Sequence, residues 1–139
     1  MVKNFIDIKD FKKKELDEII NLAKKIKSNP NKYLSSCKDK TLAMIFEKQS
    51  LRTRLSFNIG MQKLGGNVIE LNSKDIGFNN KRELPKDILN VLSQFVDCLM
   101  IRNNNHKQVL EFGNQNVIPI INGLTEYSHP CQVLGDFLT

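Results

Sequence analysis

Apolar residues run along this chain in two rhythms, short unbroken runs and repeats every three or four positions. Thr41-Leu42-Ala43-Met44-Ile45 is a run of strand length between the polar Lys40 and Glu47. An uninterrupted run of that length predicts a strand buried on both faces, here over Thr41–Phe46. Similar runs predict strands at 67–71, Cys98–Arg102 and 117–122. Between them the helical rhythm takes over. Leu16, Ile19, Ile20, Ala23 and Ile26 outline a first helix with Asp10 as its N-cap, halted at Ser28-Asn29-Pro30, where proline ends the hydrogen-bond ladder. A second helix is expected over 55–64, with Leu55, Ile59 and Leu64 inward and Gly65-Gly66 as the stop. Pro85 suits the first turn of a third helix carrying Ile88, Leu89, Leu92 and Phe95. A fourth is expected over 106–112, ended by Gly113, and a fifth starts at Pro130. The polar stretch 72–82 reads as an exposed, mobile loop.

Strands that alternate with helices, each strand short and nearly all apolar, predict an α/β fold. The expected form is a three-layer domain, a four-stranded parallel sheet flanked by helices on both faces. Right-handed crossovers then line up the strand C-terminal ends along one edge, where open α/β sheets bind ligands. Ser50, Arg52 and Thr53 follow the first strand, Arg102 ends the third, and His129 and Gln132 lie just beyond the fourth. Three segments thus bring polar groups to one edge.

Composition narrows the classes. At 139 residues the chain is one domain with room for a sizeable core. Its net charge of +6 raises nucleic acid as a partner, but Lys12, Lys13, Lys14, Lys24, Lys25 and Lys27 interleave with Glu15, Asp17 and Glu18, as on a solvated helix face. Tryptophan is absent and the aromatics do not alternate with basic residues as a base-stacking platform would. No apolar stretch approaches bilayer-crossing length, and the N-terminal residues lack a signal or transit pattern. A cytoplasmic protein with neither nucleic-acid nor membrane partners is expected. Cys37, Cys98 and Cys131 form no metal-ligand spacing and suit reduced thiols. No glycine-rich phosphate loop with a following Lys-Ser/Thr is present, which argues against a nucleoside triphosphatase.

The most informative polar stretch is Phe46-Glu47-Lys48-Gln49-Ser50-Leu51-Arg52-Thr53-Arg54. A strand-to-helix junction offers unpaired backbone N–H groups and the positive end of a helix dipole. Ser50 and Thr53 add hydroxyl donors, while Arg52 and Arg54 add guanidinium forks suited to phosphate oxygens. Locally, an N-capped helix with solvated arginines explains the same residues. His106 reads as a surface or capping residue at a helix start. A nucleophilic Cys131–His129 pair is disfavoured, because no orienting partner or oxyanion turn accompanies it.

Together these residues resemble the N-terminal, carbamoyl-phosphate-binding domain of the aspartate/ornithine carbamoyltransferase family. Ser50-Leu51-Arg52-Thr53-Arg54 resembles the family's Ser-Thr-Arg-Thr-Arg phosphate turn, and Met100-Ile101-Arg102 resembles its strand-end arginine. Asn122-Gly123-Leu124-Thr125-Glu126-Tyr127-Ser128-His129-Pro130-Cys131-Gln132 resembles its His-Pro-Cys-Gln segment with the lead-in. Phe46-Glu47-Lys48 and that lead-in are closer to the ornithine enzymes. The resemblance implies that Ser50, Leu51, Arg52 and Thr53 hold the phosphate of carbamoyl phosphate, the side chains of Ser50, Arg52 and Thr53 and the backbone of Leu51 contributing. It implies that Arg102 bridges phosphate and carbonyl oxygen, that His129 and Thr53 bond that oxygen, and that Gln132 accepts from the carbamoyl NH2. Carbamoyl phosphate and an amino-acid amine are the implied partners, with no cofactor and no metal, in a homotrimer.

Three departures qualify the resemblance. Leu51 stands where the ornithine enzymes usually carry threonine; a branch acting on acylated ornithine has an apolar residue there. Gly77 stands where Gln or His is common, in a loop that in the family reaches a neighbouring site, and Lys74, Lys81 or Arg82 are the available substitutes. The family's second, amine-binding domain is not found within the 139 residues, so 1–139 is expected to bind carbamoyl phosphate weakly and to catalyse little alone. Alternatives to an ornithine carbamoyltransferase are a non-catalytic phosphate-binding module, or transfer to acylated ornithine, putrescine or aspartate.

Overall fold

In the computed structural model the described residues are 2–77 and 83–139. Four parallel strands, β1 (Thr41–Phe46), β2 (Asn67–Asn72), β3 (Cys98–Arg102) and β4 (Ile120–Leu124), form one sheet in the order β2-β1-β3-β4. The helices are α1 (Lys13–Ser28), α2 (Leu51–Lys63), α3 (Ser73–Ile76), α4 (Pro85–Leu92), α5 (His106–Gly113) and α6 (Pro130–Leu138). Alternation along β1 explains the layering, since successive side chains leave opposite faces of the sheet. Ala43 and Ile45 join Leu99 and Ile101 on one face, under Ile88 and Leu89 of α4 and Val109 and Phe112 of α5. Leu42, Met44 and Phe46 join Met100 on the other, against Phe57 and Met61 of α2. Ile45 is fully buried, and truncation to alanine there costs about 3 kcal/mol in lost transfer energy and cavity. The predicted α/β three-layer fold is the one observed.

Strand order fixes where the site can be. The chain leaves β1 toward β2 on one side and β3 toward β4 on the other, so the loops after β1 and β3 diverge. The crevice between them is the topological switch point, where parallel sheets of this kind hold ligands. Phe46 and Arg102 are register partners, and the Glu47 N–H donates to the Arg102 carbonyl at 3.0 Å. The polar segments beyond both strands therefore start side by side.

Several local expectations are corrected. The α2 helix begins at Leu51, four residues early, because Ser50 caps it through a side-chain oxygen that accepts from the Thr53 N–H. The face that packs on the sheet carries Thr53, Phe57 and Met61, and Leu55 and Ile59 remain 51% and 44% exposed, against the expected inward stripe. The α1 cap is Lys12 and not Asp10, with Glu15 reaching back to accept from the Lys12 N–H at 2.8 Å. Its apolar face is half covered, leaving Ile19 and Leu22 exposed. Strand β4 starts three residues late, with the Pro119 carbonyl accepting from the Leu99 N–H just ahead of it. Phe95 points outward and Val96 takes the buried place. Gly113 is the last residue of α5, which Asn114 caps. Part of the expected loop at 72–82 is α3, capped by Asn72 and closed by Gly77 at φ 71°, a left-handed conformation that favours glycine there over the family's Gln or His. Lys81 and Arg82 lie outside the described residues.

Candidate active site

At the switch point the first turn of α2 faces the end of β3. Ser50 Oγ donates to Thr53 Oγ1 at 3.1 Å, and Arg102 Nη1 donates to the same oxygen at 2.8 Å. Thr53 is buried, and its hydroxyl ties the β1–α2 junction to the strand-end arginine. Arg102 Nε is buried with no hydrogen-bond partner among the described residues. A buried charge-bearing donor left unpaired is costly, so such a group marks a place built for an acceptor. Beside β3, a bulge between Ile101 and Arg102 resets the register so that Arg102 pairs with Leu124. A Cβ at Gly123 would lie 2.4 Å from Met100 Sδ, so glycine lets β4 close on β3 beside the arginine.

Beyond β4, Asn122 is fully buried and donates to the carbonyls of Ile6 and Ser128 at 2.9 and 3.2 Å. Those bonds bring the turn Thr125–Ser128 back over the strand and deliver His129 to the N-terminus of α6. Burial, reinforced by the positive charge of Arg102, holds the His129 imidazole below its ordinary value of 6.5. His129 is thus neutral near pH 7 and lies within the field of Arg102.

Ser50, Thr53 and Arg102 come together in one hydrogen-bonded cluster, and His129 lies near enough to feel the Arg102 charge. Arg52 sits in the first turn of α2 with its side chain exposed and without a side-chain hydrogen bond or ion pair among the described residues. Leu51 is 71% exposed, so it can offer the helix-start backbone and no hydroxyl. Two residues are occupied elsewhere. Arg54 spans Glu70 and Gln49, each at 2.7 Å, with its guanidinium over the Phe46 ring, which corrects the expectation that it serves the anion. Gln132 Nε2 donates to Asp136 at 2.9 Å. Cys131 points to the Asn122 carbonyl and burial pushes its thiol up to about 11, leaving it inert as a nucleophile at neutral pH.

Sequence reasoning missed Asn122, Thr125 and His106 as supports of this edge. The run Asn122-Gly123-Leu124-Thr125 carried the signal, since an asparagine closing an apolar strand needs a buried partner for its amide.

A family model described as aspartate/ornithine carbamoyltransferase, carbamoyl-P binding domain, matches residues 3–139. This chain belongs to that carbamoyltransferase family. An ornithine carbamoyltransferase of Campylobacter jejuni is 44% identical over 138 residues, which is 99% of this chain and 44% of the relative. The crystal structure of the anabolic C. jejuni enzyme superposes with TM-score 0.86 at 41% identity, covering 99% of this chain and 44% of that one. An N-acetyl-L-ornithine transcarbamylase mutant, complexed with carbamyl phosphate and N-succinyl-L-norvaline, superposes with TM-score 0.84 at 30% identity, covering 99% of this chain and 47% of that one. The chain thus spans about 44% of the length of the carbamoyltransferases it matches.

Proposed function

We propose that residues 1–139 are the carbamoyl-phosphate-binding domain of an ornithine carbamoyltransferase. In that reaction the side-chain amine of ornithine attacks the carbamoyl carbon, the bond to the phosphate oxygen breaks, and citrulline and phosphate leave. In superposition the anabolic C. jejuni ornithine enzyme is 41% identical and the N-acetyl-L-ornithine enzyme 30%, which supports ornithine as the acceptor. The observation that carries the reading is the buried, unpartnered Arg102 Nε at the switch point, beside Thr53, with His129 within the field of the Arg102 charge.

The residues divide the work by charge. The start of α2, with Ser50, Arg52, Thr53 and the backbone at Leu51, takes the phosphate dianion through N–H and hydroxyl donors. Arg102 bridges that phosphate and the carbonyl oxygen. As the amine attacks, negative charge grows on the carbonyl oxygen and then on the departing phosphate, so donors fixed on both stabilise the transition state more than the ground state. Neutral His129 donates to the carbonyl oxygen without competing for phosphate as a cation, and Thr53 adds its hydroxyl. Gln132 exchanges Asp136 for the carbamoyl NH2 by rotating its side chain. Arg102, His129 and Thr53 are the catalytic groups, and no covalent enzyme intermediate is required. The whole enzyme acts in arginine biosynthesis as a cytoplasmic homotrimer in this reading; among the described residues no helix is long and apolar enough to cross a membrane.

Calorimetric titration tests the reading. Carbamoyl phosphate is expected to bind saturably and to be displaced by inorganic phosphate, and Arg52→Ala is expected to abolish binding with the circular dichroism spectrum unchanged. Wild-type protein that shows no heat at millimolar carbamoyl phosphate would refute it.

A further inference from the structure

His106 opens α5, four residues beyond Arg102 on the chain, and its Nδ1 lies 2.8 Å from Thr125 Oγ1. Thr125 is buried, and its oxygen accepts from the backbone N–H groups of Tyr127 and Ser128 at 3.3 and 3.0 Å. A hydroxyl oxygen has two lone pairs, and those donors fill them. The hydroxyl hydrogen must then go to an acceptor, either the Ser128 carbonyl at 3.3 Å or His106 Nδ1 at 2.8 Å. The shorter contact wins, which makes Nδ1 the acceptor and leaves the imidazole proton on Nε2.

The turn held this way is the one that presents His129. The Thr125 N–H donates to the Ser128 carbonyl at 2.9 Å and the Glu126 N–H donates to the Asn104 carbonyl at 3.0 Å. Asn122 secures the same Ser128 carbonyl from the strand side. Tyr127 then packs on the His106 ring at 4.9 Å between centroids, with Lys9 Nζ bonded to its hydroxyl at 3.1 Å. Asn122 thus clamps the turn from β4, and His106 clamps it from the helix that follows Arg102.

We propose that His106 is a positioning residue for His129, its neutral imidazole fixing the Thr125–Ser128 turn so that His129 meets the ligand held by Arg102. The role of the ligand rests on the carbamoyl phosphate reading above; the orientation of His129 does not. The chain has two histidines, so any His106 variant leaves His129 as the single source of imidazole signals in a nuclear magnetic resonance spectrum. His106→Ala removes the acceptor. Its expected results are displaced and broadened His129 signals and carbamoyl phosphate affinity lowered about fivefold, the factor one neutral hydrogen bond carries. His106→Asn puts an amide oxygen where Nδ1 stood and is expected to keep both close to wild type. Unmoved His129 signals with unchanged affinity in His106→Ala would overturn the proposal, as would His106→Asn losing as much as the alanine variant. Should the alanine variant fail to fold, His106→Gln replaces it, since its carbonyl falls nearer the Nε2 position. If wild type does not bind carbamoyl phosphate, the functional reading fails, and the His129 signals of the free protein still decide the positioning role.

Discussion

Thr53→Val removes one oxygen and keeps a β-branched side chain of nearly the same volume in the first turn of α2. That oxygen accepts from Arg102 Nη1 at 2.8 Å and from Ser50 Oγ at 3.1 Å. The bond from arginine is charge-assisted, a class worth about 1.5–3 kcal/mol, and the neutral one adds about 1 kcal/mol. Ser50 can turn to water, since it is only half-buried, and recovers its share. Arg102 recovers less, because its Nε is already buried and unpaired. The net loss is about 2 kcal/mol, or roughly 6–8 °C in melting temperature for a domain of this size. Urea unfolding followed by circular dichroism measures it. Thr53→Ser is the control: it keeps the hydroxyl, loses one methyl, and is expected to cost about 1 kcal/mol. Carbamoyl phosphate affinity should fall about tenfold in the valine variant and stay within about twofold in the serine variant. A valine variant as stable as wild type, or a serine variant that binds as poorly as valine, would refute the claim that this hydroxyl orients Arg102.

The His129 imidazole should titrate below 6.5 in the free protein and rise when phosphate binds. With the folded value depressed, the unfolded chain takes up the proton first, so the histidine's contribution lowers stability as pH falls through 6.5 toward the folded value. A free-protein midpoint above 6.5 by nuclear magnetic resonance would contradict the burial argument. Arg54→Ala should leave carbamoyl phosphate affinity unchanged and cost about 0.5–1 kcal/mol, since its pair with Glu70 is partly exposed; loss of binding as complete as for Arg52→Ala would return Arg54 to the site. Cys131 should resist iodoacetamide at pH 8, where a thiol near 11 is almost wholly protonated, and Cys131→Ser should bind carbamoyl phosphate normally. Rapid alkylation of Cys131 in the folded protein would show that the thiol is activated.

Strands β1 and β3 were legible because their apolar runs stop at polar residues on both sides and both faces are covered. The limits of the second helix were not, because Leu55 and Ile59 have the spacing of a core face although they look outward. Periodicity gives the angle between residues and not the direction of the core, so a polar Thr53 pointing inward could not be inferred. Arg52 and Arg54 presented the same ambiguity. They sit on different sides of α2, and only the β1–β2 register, with Glu70 opposite Met44, puts a carboxylate in reach of Arg54. The 117–122 run misplaced β4 because apolar length does not set pairing, which Leu99 and Ile120 fix. The convergence of Ser50, Thr53, Arg102 and His129 was legible because parallel strands carry their C-terminal ends to one edge whatever the details. The His106–Thr125 contact joins residues 19 apart through two loops, and no local pattern announces it.

The central claim is that the unpaired Arg102 Nε awaits carbamoyl phosphate, and its own N–H resonance tests this most directly. In a 15N correlation spectrum of the arginine side chains, the Arg102 signal, assigned by its loss in Arg102→Lys, should move and sharpen as carbamoyl phosphate is added. The Arg54 signal, already bonded to Glu70, should stay in place. An Arg102 signal that remains fixed at saturating carbamoyl phosphate would contradict the account.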